Sequence, residues 1–104
     1  MPKRSIRTPR LSGKESLIIE LLTSQAELYG LQLVAESRGA LKRGTVYVTL
    51  GRMEDKGFIT SREAAPPPSE GGLPRRLYKV TALGRHVYEA WNMAVAHMAM
   101  RYAR

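Results

Sequence analysis

The segment from Thr45 to Gly57 places side chains suited to nucleic-acid contact along one side of a predicted helix. Arginine can read guanine edges, hydroxyl and phenol groups reach phosphates, and small apolar groups touch thymine methyls. Side chains of these types occur at Tyr47, Val48, Thr49, Arg52 and Lys56. The pattern favours a helix that enters a DNA groove. A core helix with an ordinary solvated face is the alternative.

The other side of this helix is predicted to be buried. Apolar residues recur there at i, i+4 and i+7, namely Val46, Leu50 and Met53. Thr45 is the predicted N-cap, and Gly57 is the predicted stop. Free backbone N–H groups at a helix start favour an anion. Two cations come just before that start and are expected to hold phosphates, Lys42 and Arg43.

Two further helices are predicted to precede and position this one. The capping-box spacing of Ser12 and Glu15 opens the first helix, whose predicted core residues are Leu17, Ile18, Leu21 and Leu22. The second is expected to run from Leu31 to Ser37, with inward positions Leu31, Val34 and Ala35. Three successive helices with an exposed basic side on the third predict a helix-turn-helix arrangement.

A pair of strands is predicted after the third helix, at Phe58–Ser61 and Arg75–Val80. The loop between them is rich in turn residues, namely Pro66, Pro67, Pro68, Ser69, Gly71, Gly72 and Pro74. Strands at this place predict the wing of a winged helix, with a DNA side lined by Arg75, Arg76 and Lys79. The alternative is a hairpin whose charges keep its edges soluble.

The last predicted helix starts after the N-cap Thr81 and runs towards Tyr102. At 1.5 Å per residue it is about 30 Å long, so the domain cannot cover its whole apolar stripe and a second copy is expected to do so. The predicted dimer interface comprises Leu83, Val87, Trp91, Val95, Met98 and Tyr102. Met93 and Met100 are assigned to the same contact, because methionine suits an adaptable interface.

Composition limits the class of protein. The chain has 104 residues, enough for one domain, and a formal net charge of +8. Small, strongly basic proteins most often bind nucleic acid, and an anionic membrane surface is the next option. The absence of cysteine excludes disulfides and thiol catalysis and fits the cytoplasm. No apolar run approaches the length needed to span a membrane.

The predicted fold class is mainly α with a two-stranded β wing, a winged helix-turn-helix followed by a C-terminal dimerisation helix. We expect residues 1–13 to form a flexible basic arm, or else a solubilising tail. Residues 14–81 are expected to form the DNA-binding domain, and residues 82–104 the dimerisation helix.

No catalytic or metal-binding pattern stands out. His86 and His97 are eleven residues apart, about 16 Å along a helix. They cannot hold one metal within a chain, although a shared metal across a dimer stays open. There is no phosphate-cradling glycine loop of P-loop form, no HExxH motif and no nucleophile–base pair. We therefore expect no enzyme activity, no cofactor and no metal.

The order and spacing of several short motifs resemble the PadR family of winged-helix transcriptional regulators, in particular members with a single C-terminal helix. The matching residues are Tyr29-Gly30, Gly44–Tyr47, Leu50, Arg52–Glu54, Lys56–Ile59, Arg75, Arg76, Tyr78, Val80, Thr81, Gly84 and Arg85. The resemblance implies a homodimer whose third helix enters the major groove, with Thr45, Tyr47 and Arg52 as DNA contacts. It leaves Trp91 open as an effector contact or as a dimer-core residue.

Two positions depart from the family pattern within the third helix. Val48 stands where the family commonly has proline, and Gly51 costs about 1 kcal/mol relative to alanine. We expect a homodimeric repressor that binds a palindromic operator in double-stranded DNA, located in the cytoplasm at the nucleoid. The alternatives are a nucleic-acid binder without sequence preference, such as an architectural protein, and a protein–protein adaptor of winged-helix shape.

Overall fold

The computed structural model describes residues 10–65 and 75–102, in which helices surround a small antiparallel sheet. The elements are α1 (Gly13–Gln25), β1 (Leu28–Tyr29), α2 (Gly30–Glu36), α3 (Val46–Asp55), β2 (Ile59–Ala64), β3 (Arg75–Val80) and α4 (Ala82–Tyr102). The predicted class, mainly α with a β wing, is confirmed. The sheet has one strand more than predicted, because the two-residue β1 joins it in the order β1-β3-β2.

α1 begins with the predicted capping box. The Glu15 N–H donates to Ser12 Oγ at 3.1 Å, and the Ser12 N–H donates to Glu15 Oε1 at 2.9 Å. Leu11, just before the box, is buried in the core. The last residues of the predicted arm therefore belong to the folded domain, and residues 1–9 of that arm lie outside the described residues. The helix buries the side formed by Ile18, Ile19 and Leu22, with Leu17 and Leu21 partly buried.

α2 buries a different side from the predicted one. Leu33 is fully buried and Val34 packs against the core, whereas Leu31 is 48% exposed and Ala35 is also exposed. The inward assignment of Leu31 and Ala35 is wrong. A helix of seven residues makes only two turns. The sequence of such a short helix is compatible with more than one apolar stripe.

The turn between α2 and α3 is held by Ser37. Its hydroxyl donates to the Val34 carbonyl at 2.7 Å and accepts the Leu41 N–H at 2.9 Å. Leu41 itself is buried in the core. Gly39 has a φ of +91°, a backbone conformation that glycine adopts without a steric penalty. The turn is therefore fixed at both ends and sets where α3 begins.

α3 is oriented by the predicted stripe, since Val46, Leu50 and Met53 are all buried. Thr45 occupies the N-cap position but makes no side-chain capping hydrogen bond, so side-chain capping by Thr45 is wrong. The Lys42 carbonyl instead accepts the Thr45 and Val46 N–H groups at 3.2 and 2.9 Å. At the other end Gly57, with a φ of +81°, terminates the helix as predicted.

The two longer strands pair in register from Ile59↔Val80 to Ala64↔Arg75. β3 has the predicted bounds, whereas β2 starts one residue later than predicted and continues to Ala64. β1 pairs with β3 through Leu28↔Tyr78 and Tyr29↔Leu77, which ties the start of α2 to the wing. The predicted proline-rich loop, residues 66–74, lies outside the described residues.

α4 starts at the predicted cap. The Gly84 N–H donates to Thr81 Oγ1 at 3.0 Å, and Thr81 Oγ1 donates to the Gly57 carbonyl at 2.6 Å. This hydroxyl thus joins the end of α3 to the start of α4. Gly84 is buried where a Cβ would collide with the Phe58 carbonyl. Within the described ranges, no helix is both long enough and apolar enough to cross a membrane.

Candidate nucleic-acid interface

The exposed side of α3 presents the predicted combination of side chains. Val48 is 54% exposed and Tyr47 is 49% exposed, Arg52 is exposed, and Thr49 is half-buried. These residues occupy the remaining positions of a helix whose other side is fixed in the core, so the core contacts of α3 hold them in place. Lys42, Arg43 and Thr45 are exposed in the turn that leads into the helix.

One flank of α3 faces the start of α1 across a shallow cleft of about 430 Å³. The α3 side of this cleft contains Thr45, Val48, Thr49, Arg52 and Lys56. Its α1 side includes Lys14, a cation that the sequence analysis had not assigned to the interface. Four predicted DNA contacts therefore border one concave surface, namely Thr45, Val48, Thr49 and Arg52.

Lys56 holds this flank together. Its Nζ donates to Glu15 Oε2 at 2.9 Å, which connects the end of α3 to the capping box of α1. Burial alone would raise the pKa of Glu15, but the Lys56 ammonium and the hydrogen bonds from Ser12 outweigh it and hold that pKa below its ordinary value. Lys56 lies on the predicted DNA side of the helix but is occupied by this ion pair.

The other flank of α3 faces the wing through a chain of polar contacts. Ser61 on β2 donates its hydroxyl to Glu54 Oε2 at 2.7 Å, and Arg76 Nη1 donates to Ser61 Oγ at 3.1 Å. The Arg76 guanidinium also lies 4.0 Å from Glu63. Tyr78 is buried beside this chain, and its pKa is raised by burial and by the nearby Glu54 carboxylate. The contacts connect the wing to the end of α3.

A second cleft, which we call the wing cleft, lies where the starts of α2, α3 and β3 meet. It has a volume of about 440 Å³ and is bordered by Tyr29, Gly30, Gln32, Tyr47, Arg75 and Arg76. The Arg75 guanidinium stacks on the Tyr29 ring, 4.9 Å from its centroid. The Tyr47 ring crosses Gly30, where a Cβ would come within 2.5 Å of it. The structure thus brings Tyr47 together with the two wing arginines.

Sequence reasoning missed Tyr29, Gly30 and Gln32 as members of this cleft. Tyr29 and Gly30 were recognised only as part of a family motif and as the start of a helix. The one local signal was the aromatic–glycine pair itself, since a glycine often marks a close approach of another group. The contact to Arg75 joins residues far apart in the chain and leaves no periodic pattern.

The wing does not present its three predicted cations on one side. Side chains alternate along a strand, so Arg75 and Lys79 lie on one face of β3 and Arg76 on the other, with the buried Tyr78 and Val80. Of these three cations, Arg75 and Arg76 both border the wing cleft, and Lys79 does not. Lys79 instead borders a recess with Glu27 and Arg62.

Glu27 and Arg62 form an ion pair beside Lys79. Arg62 Nε and Nη2 donate to the two Glu27 carboxylate oxygens at 3.1 and 3.0 Å. The Arg62 hydrogen bonds and, more weakly, the Lys79 charge hold the pKa of Glu27 below its ordinary value. The structure therefore places Lys79 next to an acidic partner rather than with the cations of the wing cleft.

α4 divides the predicted dimer-interface residues into two groups. Val87 and Trp91 are half-buried against the core of their own chain, whereas Leu83, Val95 and Met98 are exposed. The side chain of Tyr102 lies outside the described residues. Met93, 73% exposed, follows Trp91 by two residues and so lies about 200° round the helix. Met93 and Met100 therefore do not lie on the apolar side that contains Trp91 and Met98.

Trp91 also borders a cleft of about 680 Å³ between α4 and the segment that precedes α1. Its lining also includes Arg10, Leu11, His97 and Met98. His86 is exposed at the opposite end of the helix from His97. Over residues 10–65 and 75–102, no group of three or more histidine, aspartate or glutamate side chains is arranged to hold a metal ion.

Comparison with known proteins points to one family. The sequence model of the "Transcriptional regulator PadR-like family" matches residues 18–90, from within α1 into α4. No curated protein sequence matches the chain.

Solved structures of similar fold include several bacterial regulators. A PadR family transcription regulator from Clostridium difficile R20291 has a TM-score of 0.71 and 25% identity over 89% of this chain and 100% of its own. A PadR-like transcription factor from Bacteroides fragilis has a TM-score of 0.70 and 21% identity over 84% of each chain. Bacillus subtilis PadR, in complex with operator DNA, has a TM-score of 0.65 and 24% identity over 74% of this chain and 45% of its own.

Proposed function

This chain belongs to the PadR-like family of transcriptional regulators, and we propose that it acts as a homodimeric repressor of transcription that binds a palindromic operator in double-stranded DNA. Each α3 reads one half-site in the major groove, and each wing contacts the flanking backbone. Two-fold symmetry of the protein matches an inverted repeat whose half-sites lie about 34–36 Å apart. The dimer acts in the cytoplasm, at the nucleoid.

The exposed side of α3 is the observation that carries this proposal. A single rigid helix presents Val48, Thr49 and Arg52 next to one another, while its opposite side is fully buried. Arginine can form a bidentate contact with guanine O6 and N7, and an apolar group such as Val48 can contact a thymine methyl. These groups distinguish base pairs, whereas a merely basic surface would recognise only phosphate.

The flanking residues have supporting roles in this arrangement. Lys42 and Arg43 neutralise phosphates ahead of α3, and Thr45 and Tyr47 contact the backbone at its first turn. Arg75 and Arg76 do the same from the wing. Lys79, which was predicted to join them, stands beside Glu27 and Arg62 and adds only to the long-range attraction of the +8 chain for DNA.

The exposed apolar side chains of α4 support the dimer. Met98 is 56% exposed, and Leu83 and Val95 are exposed on the same apolar side of the helix. A two-fold partner that packs its own α4 on this side would remove these apolar side chains from water. This burial is favourable by about 25 cal/mol per Å² of apolar surface. An operator-bound dimer would occlude promoter DNA, which is why repression is the proposed outcome.

We further propose that Trp91 is either a dimer-core residue or the contact of a small-molecule effector. The cleft beside Trp91 combines apolar walls from Leu11 and Met98 with the polar groups of Arg10 and His97. Because the chain has one tryptophan, its fluorescence reports on this place. A change in emission on dilution into the monomer range indicates a dimer-core role, and a change on adding a ligand at constant dimer mass indicates an effector contact.

The test is selection of bound sequences from a random duplex pool at near-physiological salt, with the mass of the protein in solution measured in parallel. An enriched inverted repeat with half-sites about one helical turn apart, bound by a dimer, is the expected result. Binding without an enriched sequence, collapsing steeply as salt rises, would replace this proposal with a nucleic-acid binder that has no sequence preference.

A further inference from the structure

Gly30 is the residue on which the Tyr47 ring rests. A Cβ at Gly30 would lie 2.5 Å from Tyr47 Cε1 and 2.6 Å from both Cζ and the phenol oxygen. Apart from its own helix and chain neighbours, the three atoms nearest to that position all belong to this one side chain. No residue with a Cβ tolerates an approach this close. Glycine is therefore what allows the ring to lie over the start of α2.

The backbone on both sides of this contact is fixed. Gly30 follows Tyr29, which pairs with β3 in the sheet and whose N–H donates to Gln32 Oε1 at 2.8 Å. Tyr47 follows Val46, which is buried in the core at the start of α3. The Tyr47 side chain is nevertheless 49% exposed. The ring is thus confined by α2 on one side, and half of the side chain remains open to a partner.

The backbone conformation does not itself require glycine at this position. Gly30 is the first residue of α2 and does not have a positive φ, so alanine is compatible with its backbone. At Gly84, by contrast, the group in the way of a Cβ is the main-chain carbonyl of Phe58. At Gly30 it is the far end of a side chain, which can turn about its own bonds. A methyl group at residue 30 should therefore displace the Tyr47 ring and leave the fold intact.

We propose that Gly30 is a positioning residue of the DNA interface, which holds the Tyr47 phenol in the orientation that donates to a backbone phosphate. This inference rests on the proposed function, because it takes Tyr47 to contact DNA at the first turn of α3. A phenol O–H is a directional donor, and a tyrosine ring turns about only two bonds. Contact with α2 therefore restricts the ring before DNA binds, and less side-chain entropy is lost on binding.

The experiment is a double-mutant cycle between Gly30→Ala and Tyr47→Phe, measured by titration of the selected operator. Gly30→Ala should weaken binding about three- to tenfold, the size expected when one side chain is no longer preorganised. Tyr47→Phe keeps the ring, removes the donor and should weaken binding about tenfold. The double variant should bind no more weakly than Tyr47→Phe alone, because a displaced ring without a hydroxyl has no contact left to lose.

Thermal unfolding of the same proteins separates the position of the ring from its contact with DNA. Gly30→Ala should change the stability equally in the wild-type and Tyr47→Phe backgrounds, since the ring is displaced in both. In a Tyr47→Ala background, which has no ring, that change should disappear. A purely structural role of Gly30 would not make its effect on affinity depend on the Tyr47 hydroxyl.

Gly13→Ala is the matched control for Gly30→Ala. Gly13 is the first residue of α1, as Gly30 is of α2, and no atom lies within 4 Å of the place where its Cβ would be. The same methyl group at the same helical position should therefore leave operator binding unchanged.

Several outcomes overturn the inference while the proposed function survives. Gly30→Ala or Tyr47→Phe binds the operator as tightly as the wild type, or the effects of the two substitutions on affinity multiply. A Gly30→Ala protein that does not fold also overturns it, because the glycine then serves the fold and not the phenol. Failure to select any operator is a different result, which removes the proposed function itself.

Discussion

Gly51 lies inside α3 on its exposed side, and nothing in the described chain comes within 4 Å of the place where a Cβ would be. Its backbone is helical, so glycine only adds flexibility there. Gly51→Ala should therefore raise the free energy of unfolding by about 0.5–1 kcal/mol. Denaturant titration measures this change. Gly57→Ala, at a φ of +81°, is the control and should lower the stability instead.

A Gly51→Ala protein that is no more stable than the wild type would contradict this account of α3. If the variant is more stable and also binds operator more weakly, the absence of a side chain at Gly51 allows DNA to approach the helix closely. Unchanged binding would leave Gly51 with only a local cost to the helix.

Single residues differ in how far the sequence alone determined them. The stripe of Val46, Leu50 and Met53 was predictable, because ten helical residues repeat one period almost three times. Leu31 was not, because α2 is too short to define a side. Leu11 carried no signal either, since one apolar residue before a cap is compatible with both a free arm and a core contact.

At the scale of elements, the Lys56–Glu15 ion pair joins the end of α3 to the start of α1. Lys56→Met should lower the free energy of unfolding by about 0.5–1 kcal/mol at pH 7, since Lys56 is half-exposed. The pKa of Glu15 is lowered in the folded protein, so this contribution is present above its ordinary value of 4.5 and is lost as the pH falls through the folded-state pKa.

The matched control for Lys56→Met is the same substitution in a Glu15→Gln protein. Thermal unfolding across the pH range should show that Lys56→Met causes a pH-dependent loss of stability in the wild-type background. In the Glu15→Gln background it should show no such pH dependence. An equal loss in both backgrounds, or a loss that persists in acid, would mean that Lys56 stabilises the fold through contacts other than the Glu15 pair, such as that of its Nζ with the Phe58 ring, 5.6 Å from the centroid.

Elements were predictable where their signals are local. The capping box of Ser12 and Glu15 marks α1, the stop residue Gly57 marks the end of α3, the N-cap Thr81 marks α4, and alternation marks β3. The pairing of β1 with β3 connects residues 28–29 with 77–78, and no pattern in a two-residue segment announces it. The wing cleft depends on that pairing. For the same reason its residue Tyr29 could not be recognised from the sequence, whereas Arg75 and Arg76, which also border this cleft, could be.

At the scale of the whole molecule, the proposed dimer makes opposite predictions for two methionines of α4. Met98 shares the apolar side of the helix with Val95 and Trp91, whereas Met93 lies about 200° away from Trp91. Met98→Glu should place a charge in the interface, shift the mass in solution towards the monomer and weaken operator binding. Met93→Glu should change neither. Light scattering and operator titration of the two variants decide this.

If both variants remain dimeric, the two-fold contact does not use the second half of α4. If Met93→Glu alone dissociates the dimer, the interface lies on the other side of the helix, which would bring Met93, Met100 and the two histidines together.

We propose that α3 reads bases, and the free-energy preference for the selected operator over a scrambled duplex measures this. The preference is compared between the wild type and Arg52→Ala at one salt concentration. Arg52→Ala should reduce it by about 1–3 kcal/mol, because a bidentate base contact is lost. Arg75→Ala should instead weaken binding to both duplexes alike and lower the salt slope by about one. If Arg52→Ala leaves the preference unchanged, α3 does not read bases through Arg52.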